Sequence, residues 1–253
     1  MKKLFLILLI GFLANVLTAQ NNVLFEEATK LYNEGDYESA IEKYTTILAS
    51  GEHSAALYYN LGNAHYKLNR IGPSIYFYEK ALLLAPNDED VKNNLAFAKN
   101  MTIDVIEPLP QTGFSKLIEK SIGKLSYNQW AITAVIFVFV FILLFLLYYF
   151  FNKQQLKRLF FVTSLITVFL AVIAIIMAFQ EYNVYKNNRP AIVFAQEVGI
   201  KSEPNDRSEE IFSLHEGAKV TVLEELNDWK KIRLADGKVG WVPQQEIKEL
   251  KIN

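Results

Sequence analysis

Two long apolar runs are the feature that most constrains how this chain of 253 residues can fold. Trp130–Phe151 contains 22 residues and Leu159–Phe179 contains 21, all without a charged side chain. A helix rises about 1.5 Å per residue, so either run can cross the roughly 30 Å hydrocarbon core of a bilayer, whereas strands rarely exceed about 10 residues. The runs predict two transmembrane helices, at residues 130–151 and 159–180.

The connection between the two runs, residues 152–158, indicates the orientation of the hairpin. It carries Lys153, Lys157 and Arg158 but no acidic residue. Because basic residues in short loops stay on the cytoplasmic side of a membrane, this loop is predicted to be cytoplasmic. The domains on both sides of the hairpin are then expected outside.

The beginning of the chain predicts the same orientation independently. Lys2 and Lys3 precede an apolar run over residues 4–13, and Leu17-Thr18-Ala19 follows, a pattern typical of a secretory signal at residues 1–19 that is cleaved after Ala19. We therefore expect a two-pass protein that contacts the lipid bilayer and exposes its N-terminal and C-terminal domains on the outer, periplasmic side.

Linkers are predicted on both sides of the hairpin. Two prolines and a glycine within residues 107–113 mark a boundary in a linker of residues 101–129. Apolar residues recur at helical spacing over residues 114–125, with lysines on another face. This amphipathic helix could lie on the outer leaflet or pack on the protein, and the pattern does not choose between the two. Residues 181–190 form the second predicted linker.

Composition excludes several kinds of chemistry. The 26 Lys and Arg nearly match the 27 Asp and Glu, and a net charge of −1 disfavours a nucleic-acid partner. The absence of cysteine excludes thiol nucleophiles, disulfides and Cys-ligated metals, and the three histidines show no ligand spacing. The sequence has no phosphate-binding glycine loop and no GxSxG turn. It therefore predicts a protein that is not an enzyme, with no catalytic residue, no cofactor and no metal site.

A period of 34 residues runs through the N-terminal part of the chain. At this offset Leu24, Leu31 and Tyr44 superpose on Tyr58, His65 and Tyr78, and Ala28 and Ala40 superpose on Gly62 and Ser74. These residues resemble the tetratricopeptide repeat, in which two helices per unit cross closely at small residues. The resemblance implies an all-α solenoid over residues 20–100, with units at 21–54 and 55–88. A further helix at 89–99 is the first helix of an incomplete third unit or a polar cap.

The resemblance also implies a peptide-binding groove, because the first helix of each repeat lines a concave surface. The candidate groove residues are aromatic or carry amides: Phe25, Tyr32, Tyr59, Asn60, Asn63, Tyr66, Asn93 and Phe97. Aromatic faces can hold apolar side chains, and amides can pair with an extended peptide backbone. The alternative is that Tyr59 and Tyr66 only pack against a neighbouring helix.

From residue 191 onward the hydrophobic pattern alternates as in β-strands. The predicted strands are 191–194, 219–223, 229–234 and 239–242, and Asp236-Gly237 predicts a two-residue hairpin turn. Four segments, Val198-Gly-Ile-Lys-Ser-Glu-Pro204, Leu214-His-Glu-Gly217, Trp229-Lys-Lys-Ile-Arg233 and Asp236-Gly-Lys-Val-Gly-Trp241, are similar to the bacterial SH3-like domain. The resemblance implies an all-β, five-stranded barrel over residues 191–253 that binds peptides or cell-wall glycopeptide.

Trp229 and Trp241 are the ligand candidates of this domain. Aromatic side chains dominate small cores, so filling the core is the alternative role for both. Trp229 follows the polar residues Asn227 and Asp228, which makes it the better candidate for an SH3-like surface site.

The predicted fold class is multidomain: a tetratricopeptide solenoid, a two-helix transmembrane hairpin and an SH3-like barrel. This order of modules resembles the BatE-type proteins of bacterial aerotolerance operons. The resemblance implies a non-enzymatic scaffold on the outer face of the bacterial cytoplasmic (inner) membrane, with protein or peptide partners that include other membrane-anchored Bat proteins. The alternative function is a peptidoglycan-binding sensor, or a recruiter of a cell-wall hydrolase, that acts through the SH3-like domain.

Overall fold

The structure, a computed structural model, describes residues 20–110 and 125–251. The predicted signal and nearly all of the predicted amphipathic helix lie outside the described residues. The chain divides into two compact units, one made of residues up to 108 together with residues from 189 onward, and one made of residues 109–188. The helical repeats and the C-terminal sheet therefore belong to the same unit, which the sequence did not suggest.

Five helices build the N-terminal part of the first unit. They are α1 over residues 20–34, α2 over Tyr37–Ala49, α3 over Ala55–Lys67, α4 over Ile71–Leu84 and α5 over Glu89–Lys99. Side chains that accept a backbone N–H begin three of the helices, at Asp36, Ser54 and Asp88.

The backbone follows the 34-residue period as closely as the side chains do. The turn between α1 and α2 has Gly35 at φ 87°, and the turn between α3 and α4 has Asn69, exactly one period later, at φ 57°. In both turns the next residue donates its N–H to a carbonyl five residues earlier, at 3.0 Å. Glycine and asparagine are the residues that most readily adopt this left-handed conformation, so the two turns have the same cause.

Close helix crossings explain the small residues of the repeat. A Cβ atom on Gly62 would lie 2.6 Å from the Tyr78 ring, so a larger residue cannot occupy this position without moving the ring. Ala28 and Tyr44, one period earlier, are likewise buried in a single apolar cluster. Glycine or alanine on the first helix thus makes room for a tyrosine on the second.

The second unit contains two helices, α6 over Tyr127–Phe150 and α7 over Gln154–Asn187. Both are long and apolar enough to cross a membrane, and they suggest a membrane hairpin. Small residues lie buried between them, including Ala134, Ser164 and Ala174. The connection has three residues instead of the expected seven, because α7 begins at Gln154 and already contains the two basic residues that follow. Most of the predicted linker 181–190 is also helical.

The C-terminal part of the first unit is an antiparallel sheet of seven strands. They are β1 Pro190–Val193, β2 Glu197–Lys201, β3 Glu210–His215, β4 Lys219–Leu226, β5 Trp229–Arg233, β6 Val239–Pro243 and β7 Ile247–Glu249. Their order is β3-β2-β6-β5-β4-β1-β7. This corrects the expected five-stranded barrel. In the described residues β1 pairs with both β4 and β7, and the sheet ends at β3 and β7 without closing.

Two hairpin turns differ from the expectation. Asp236 and Gly237 do not form a two-residue turn, because Leu234 donates its N–H to the carbonyl of Lys238 and encloses three residues. The two-residue turn lies instead between β4 and β5, where Asn227 adopts φ 53° and Leu226 pairs with Trp229.

Candidate functional site

Five of the eight predicted groove residues line one cavity of about 260 Å³. We call this cavity the tyrosine groove, and its complete lining is Tyr32, Tyr59, Asn63, Tyr66, Lys67, Tyr78, Asn94 and Phe97. Helices α1, α3 and α5 supply all of these side chains except Tyr78, which comes from α4. The first helices of successive units therefore share a single depression.

A hydrogen-bond network holds the polar floor of the tyrosine groove. The Tyr78 hydroxyl donates to Oδ1 of Asn63 at 2.6 Å. Nδ2 of Asn94 donates to the same Oδ1 at 2.9 Å and to the Tyr59 hydroxyl at 3.0 Å. Because its oxygen is occupied twice, Asn63 offers the groove its amide N–H groups, which find no acceptor among the described residues.

The tyrosine groove is neutral except at Lys67. Burial raises the pKa of the Tyr78 hydroxyl far above its usual range, and burial also raises the pKa of Tyr32. Both phenols therefore remain protonated near neutral pH. The lining contains no carboxylate, and within the described residues Lys67 forms no ion pair. The groove thus combines aromatic walls with hydrogen-bond donors and one cation.

Three predicted groove residues lie elsewhere. Phe25 lines a separate, more open cleft of about 540 Å³ on α1 and packs edge to face on Tyr44, with ring centres 5.5 Å apart. Asn60 lies close enough to the Tyr44 hydroxyl to oppose, together with Thr29, the rise in the Tyr44 pKa that burial causes. Asn93 is exposed on α5 and does not line the groove.

Tyr78, Lys67 and Asn94 complete the groove without having been among the eight candidates. In the sequence Tyr78 stands out only as the repeat counterpart of Tyr44, but in the structure its hydroxyl reaches past the helix crossing to Asn63. The 34-residue offset carries a signal for this contact, because Tyr44 reaches Thr29 in the first unit in the same way, at 3.0 Å. Such a contact is therefore predicted where a polar residue lies on the helix that precedes a repeated tyrosine.

His65 is buried among the helical repeats. His65 is only 9% exposed and stacks on Phe77 with ring centres 5.4 Å apart, and its Nδ1 has no hydrogen-bond partner in the part of the chain that the structure describes. Burial, together with the Arg70 charge, lowers the pKa of His65 to about 4. In the described residues no group of His, Asp or Glu side chains could hold a metal ion.

The sheet offers a weaker candidate surface. Trp229 is half-buried at the start of β5, and Trp241 is half-buried on β6 with Nζ of Lys231 5.7 Å from its ring centre. The main cluster of the sheet is aliphatic and contains neither tryptophan. Trp229 is therefore not needed to fill this cluster and remains available for a ligand.

Comparison with known proteins identifies two modules. Residues 197–248 match the bacterial SH3 domain, and residues 55–88 match the tetratricopeptide repeat, with the bounds predicted for the second unit. Among solved structures, the C-terminal SH3 domain of myosin IB from Entamoeba histolytica is 25% identical and aligns with 25% of this chain and 93% of its own length. Its TM-score of 0.19 is too low to indicate a common fold. No curated protein matches the chain.

The two matched modules and the two apolar helices fit the predicted domain composition. Both modules are typically non-catalytic binding domains, and no enzyme family matches. They suggest a scaffold that binds protein or the cell wall.

Proposed function

We propose that this chain is a non-enzymatic, membrane-anchored scaffold that binds an extended peptide segment of a partner protein in the tyrosine groove. The observation that carries the proposal is the convergence of aromatic walls and unpaired amide donors in one cavity. Tyr32, Tyr66 and Phe97 offer apolar faces to side chains, and Asn63 offers N–H groups to peptide carbonyls.

Under this proposal the groove lies on the outer face of the bacterial cytoplasmic membrane. Basic residues lie in the connection between α6 and α7, at Lys153, and just after it, at Lys157 and Arg158. They favour a cytoplasmic location of the connection. A bacterial SH3 domain after the hairpin fits an extracellular or periplasmic environment. The signal predicted for residues 1–19 would export the repeats to the same side.

The order of modules supports a role like that of the BatE-type proteins of aerotolerance operons. Under this proposal the partners are other membrane-anchored Bat proteins, whose peptide segments the groove would hold. Peptidoglycan binding through the sheet is the second candidate, and the half-buried Trp229 in a bacterial SH3 domain is the observation that favours it.

Co-purification from detergent-solubilised membranes tests the groove. Phe97 lines it and is 61% exposed, so Phe97→Ala removes a contact surface with little effect on folding. We expect the variant to retain several-fold less partner than the wild type. Leu83→Ala is the matched control, because Leu83 is 50% exposed and lies outside the groove.

The same preparation separates the second candidate. If Phe97→Ala retains the partner and Trp229→Ala loses it, the sheet is the recognition module and the groove proposal fails. Pelleting of the wild-type protein with purified sacculi, lost in Trp229→Ala, would identify peptidoglycan as the ligand of the sheet.

A further inference from the structure

We infer that the SH3-like sheet has a second role, as the C-terminal cap of the repeat array. A repeat solenoid needs its terminal unit covered, because each unit buries its apolar face against the next one. Among the described residues the third unit supplies only its first helix, α5, and no helix of a further unit covers the outer side of α4. The sheet covers that side.

An apolar contact joins α4 to the sheet. Ile71 and Ile75 of α4 belong to the same buried cluster as Ile192 of β1 and Leu250 near the chain end. Beside them the rings of Tyr76 and Phe194 meet edge to face, with centres 5.5 Å apart. Buried aliphatic side chains from both modules thus form one core, as within a single domain.

Polar groups of α4 also pair with polar groups of the sheet. Glu79 of α4 is only 9% exposed and accepts from Nζ of Lys219 at 2.7 Å and from Nζ of Lys99 at 2.9 Å. Burial alone would raise the pKa of Glu79, but the two lysines outweigh it and hold the pKa below its usual value. At the start of α4 the N–H of Gly72 donates to Oε1 of Glu216 at 2.8 Å, which satisfies an N–H that the helix itself cannot.

The segment after α5 completes the contact. Its described residues, up to 110, form neither helix nor strand where a full repeat would continue with a second helix, and they contact the sheet. Asp104 accepts from the backbone N–H of His215 at 2.6 Å and contacts Nδ1 of the same residue at 2.9 Å. Thr102 lies beside Gly217, and Ile106 packs on the main cluster of the sheet. The sheet and the segment after α5 together cover the side of α4 that the second helix of a complete third unit would cover.

Capping restricts where the sheet can bind a ligand. The outer side of β1 and the turn between β3 and β4 are occupied by α4 and by the segment after α5. An external ligand is left with the other surfaces of the sheet, which include Trp229. Unfolding of the repeats and of the sheet should also be coupled.

Gly72→Ala tests whether the sheet caps α4. The thermal midpoint should fall if the sheet packs on this glycine and rise if this part of α4 faces water. A Cβ atom at position 72 would lie 2.9 Å from the backbone oxygen of Val193 and 2.7 Å from Cγ of Glu216, so alanine must push the sheet away. In a helix that faces water, alanine is instead more stable than glycine. The chain has three tryptophans, Trp130 on α6 and Trp229 and Trp241 in the sheet, so in a Trp130→Phe background the tryptophan fluorescence reports unfolding of the sheet.

The measurement is the thermal midpoint of the tryptophan transition in the full-length protein in detergent. We expect Gly72→Ala to lower it by about 5 °C, while Thr45→Ala on the exposed side of α2 leaves it unchanged. Lys219→Ala, a milder change, should lower the midpoint by a smaller amount and speed hydrogen exchange in α4. An unchanged or higher midpoint for Gly72→Ala, or unaltered α4 exchange in Lys219→Ala, would overturn the cap.

Discussion

The structure adds an internal role to the ligand contact proposed for Asn63. Its position in the repeat indicates a ligand contact, whereas the structure shows that its oxygen also anchors Tyr78 and Asn94. A loss of binding after substitution of Asn63 alone would therefore be ambiguous, because the shape of the tyrosine groove would change as well.

A double-mutant cycle resolves the internal role of Asn63. Asn63→Ala leaves the buried Tyr78 hydroxyl without this acceptor, which should cost about 1–3 kcal/mol of unfolding free energy. Tyr78→Phe removes the hydroxyl and should cost less. Because both changes delete the same bond, the double variant should be about 1 kcal/mol more stable than the sum of the two predicts. Strict additivity of the two unfolding free energies would refute the anchoring role.

His65 should make the repeats sensitive to mild acid. Its pKa is about 4 in the folded protein and near 6.5 in the unfolded chain, so below pH 6.5 protons bind the unfolded chain first and stability falls. The expected loss between pH 7.5 and pH 5 is about 2 kcal/mol. His65→Phe keeps the ring stacked on Phe77 but cannot titrate, so its unfolding free energy should change less between these two pH values.

The other groups with shifted pKa values do not produce the same acid loss between pH 7.5 and pH 5. The hydrogen bond with Asp104 raises the pKa of His215, so the stabilisation that His215 provides grows as the pH falls towards 6.5 and is complete below it, which opposes the effect of His65. The carboxyl of Glu249 has a pKa of about 2, because Arg189 and Lys230 outweigh the effect of burial, and it loses its stabilisation only in stronger acid. An equal acid loss in the wild type and in His65→Phe would show that His65 is not responsible.

At the scale of the elements, Gly62 tests the helix crossing. Gly62→Ala would add stability to a helix facing water, but here the new Cβ would lie 2.6 Å from the Tyr78 ring. Overpacking should therefore lower the unfolding free energy by about 1–3 kcal/mol. Circular dichroism of the full-length protein should show a lower thermal midpoint, and a higher midpoint would mean that α3 and α4 do not cross at this glycine.

The elements that the sequence predicted well are those with a long or repeated signal. Charge-free runs determine α6 and α7, and the 34-residue period determines the repeat helices. The short strands β2, β3 and β7 were missed, because Gly199 and Ser213 interrupt the apolar alternation of the first two and β7 has only three residues. Closure of the sheet into a barrel was predicted from the resemblance alone. In the structure β1 pairs with β7 as well as with β4, and the sheet ends at β7 instead of closing.

The tyrosine groove was partly predictable for the same reason. Residues on the first helices follow from the period, and five of the eight candidates do meet. Phe25 and Asn60 are diverted to Tyr44, a contact that depends on the crossing of α1, α2 and α3 in space. Repeat position predicts which face a residue is on but not which partner it finds there.

For the whole molecule, the sequence predicted the modules but not their association. The ion pair of Glu79 with Lys219 joins residues 140 positions apart in the sequence, and both long apolar helices lie between them in the chain. Charged residues are common on surfaces, so nothing in the composition of α4 or β4 distinguishes this pair from solvated charges. The sequence predicts two modules that bind ligands independently, whereas in the structure these two modules form one compact unit.

Thiol labelling of single-cysteine variants tests most directly the claim that the hairpin displays both modules outside. The native chain has no cysteine, so each introduced thiol is the only target. Thr45 on α2, Asp206 in the loop between β2 and β3, and Gln155 beside the short connection are all exposed and suit substitution by cysteine. In intact spheroplasts treated with a membrane-impermeant maleimide, we predict that Thr45→Cys and Asp206→Cys are labelled, whereas Gln155→Cys is labelled only after permeabilisation. Labelling of Gln155→Cys alone in intact spheroplasts would contradict an outward-facing scaffold.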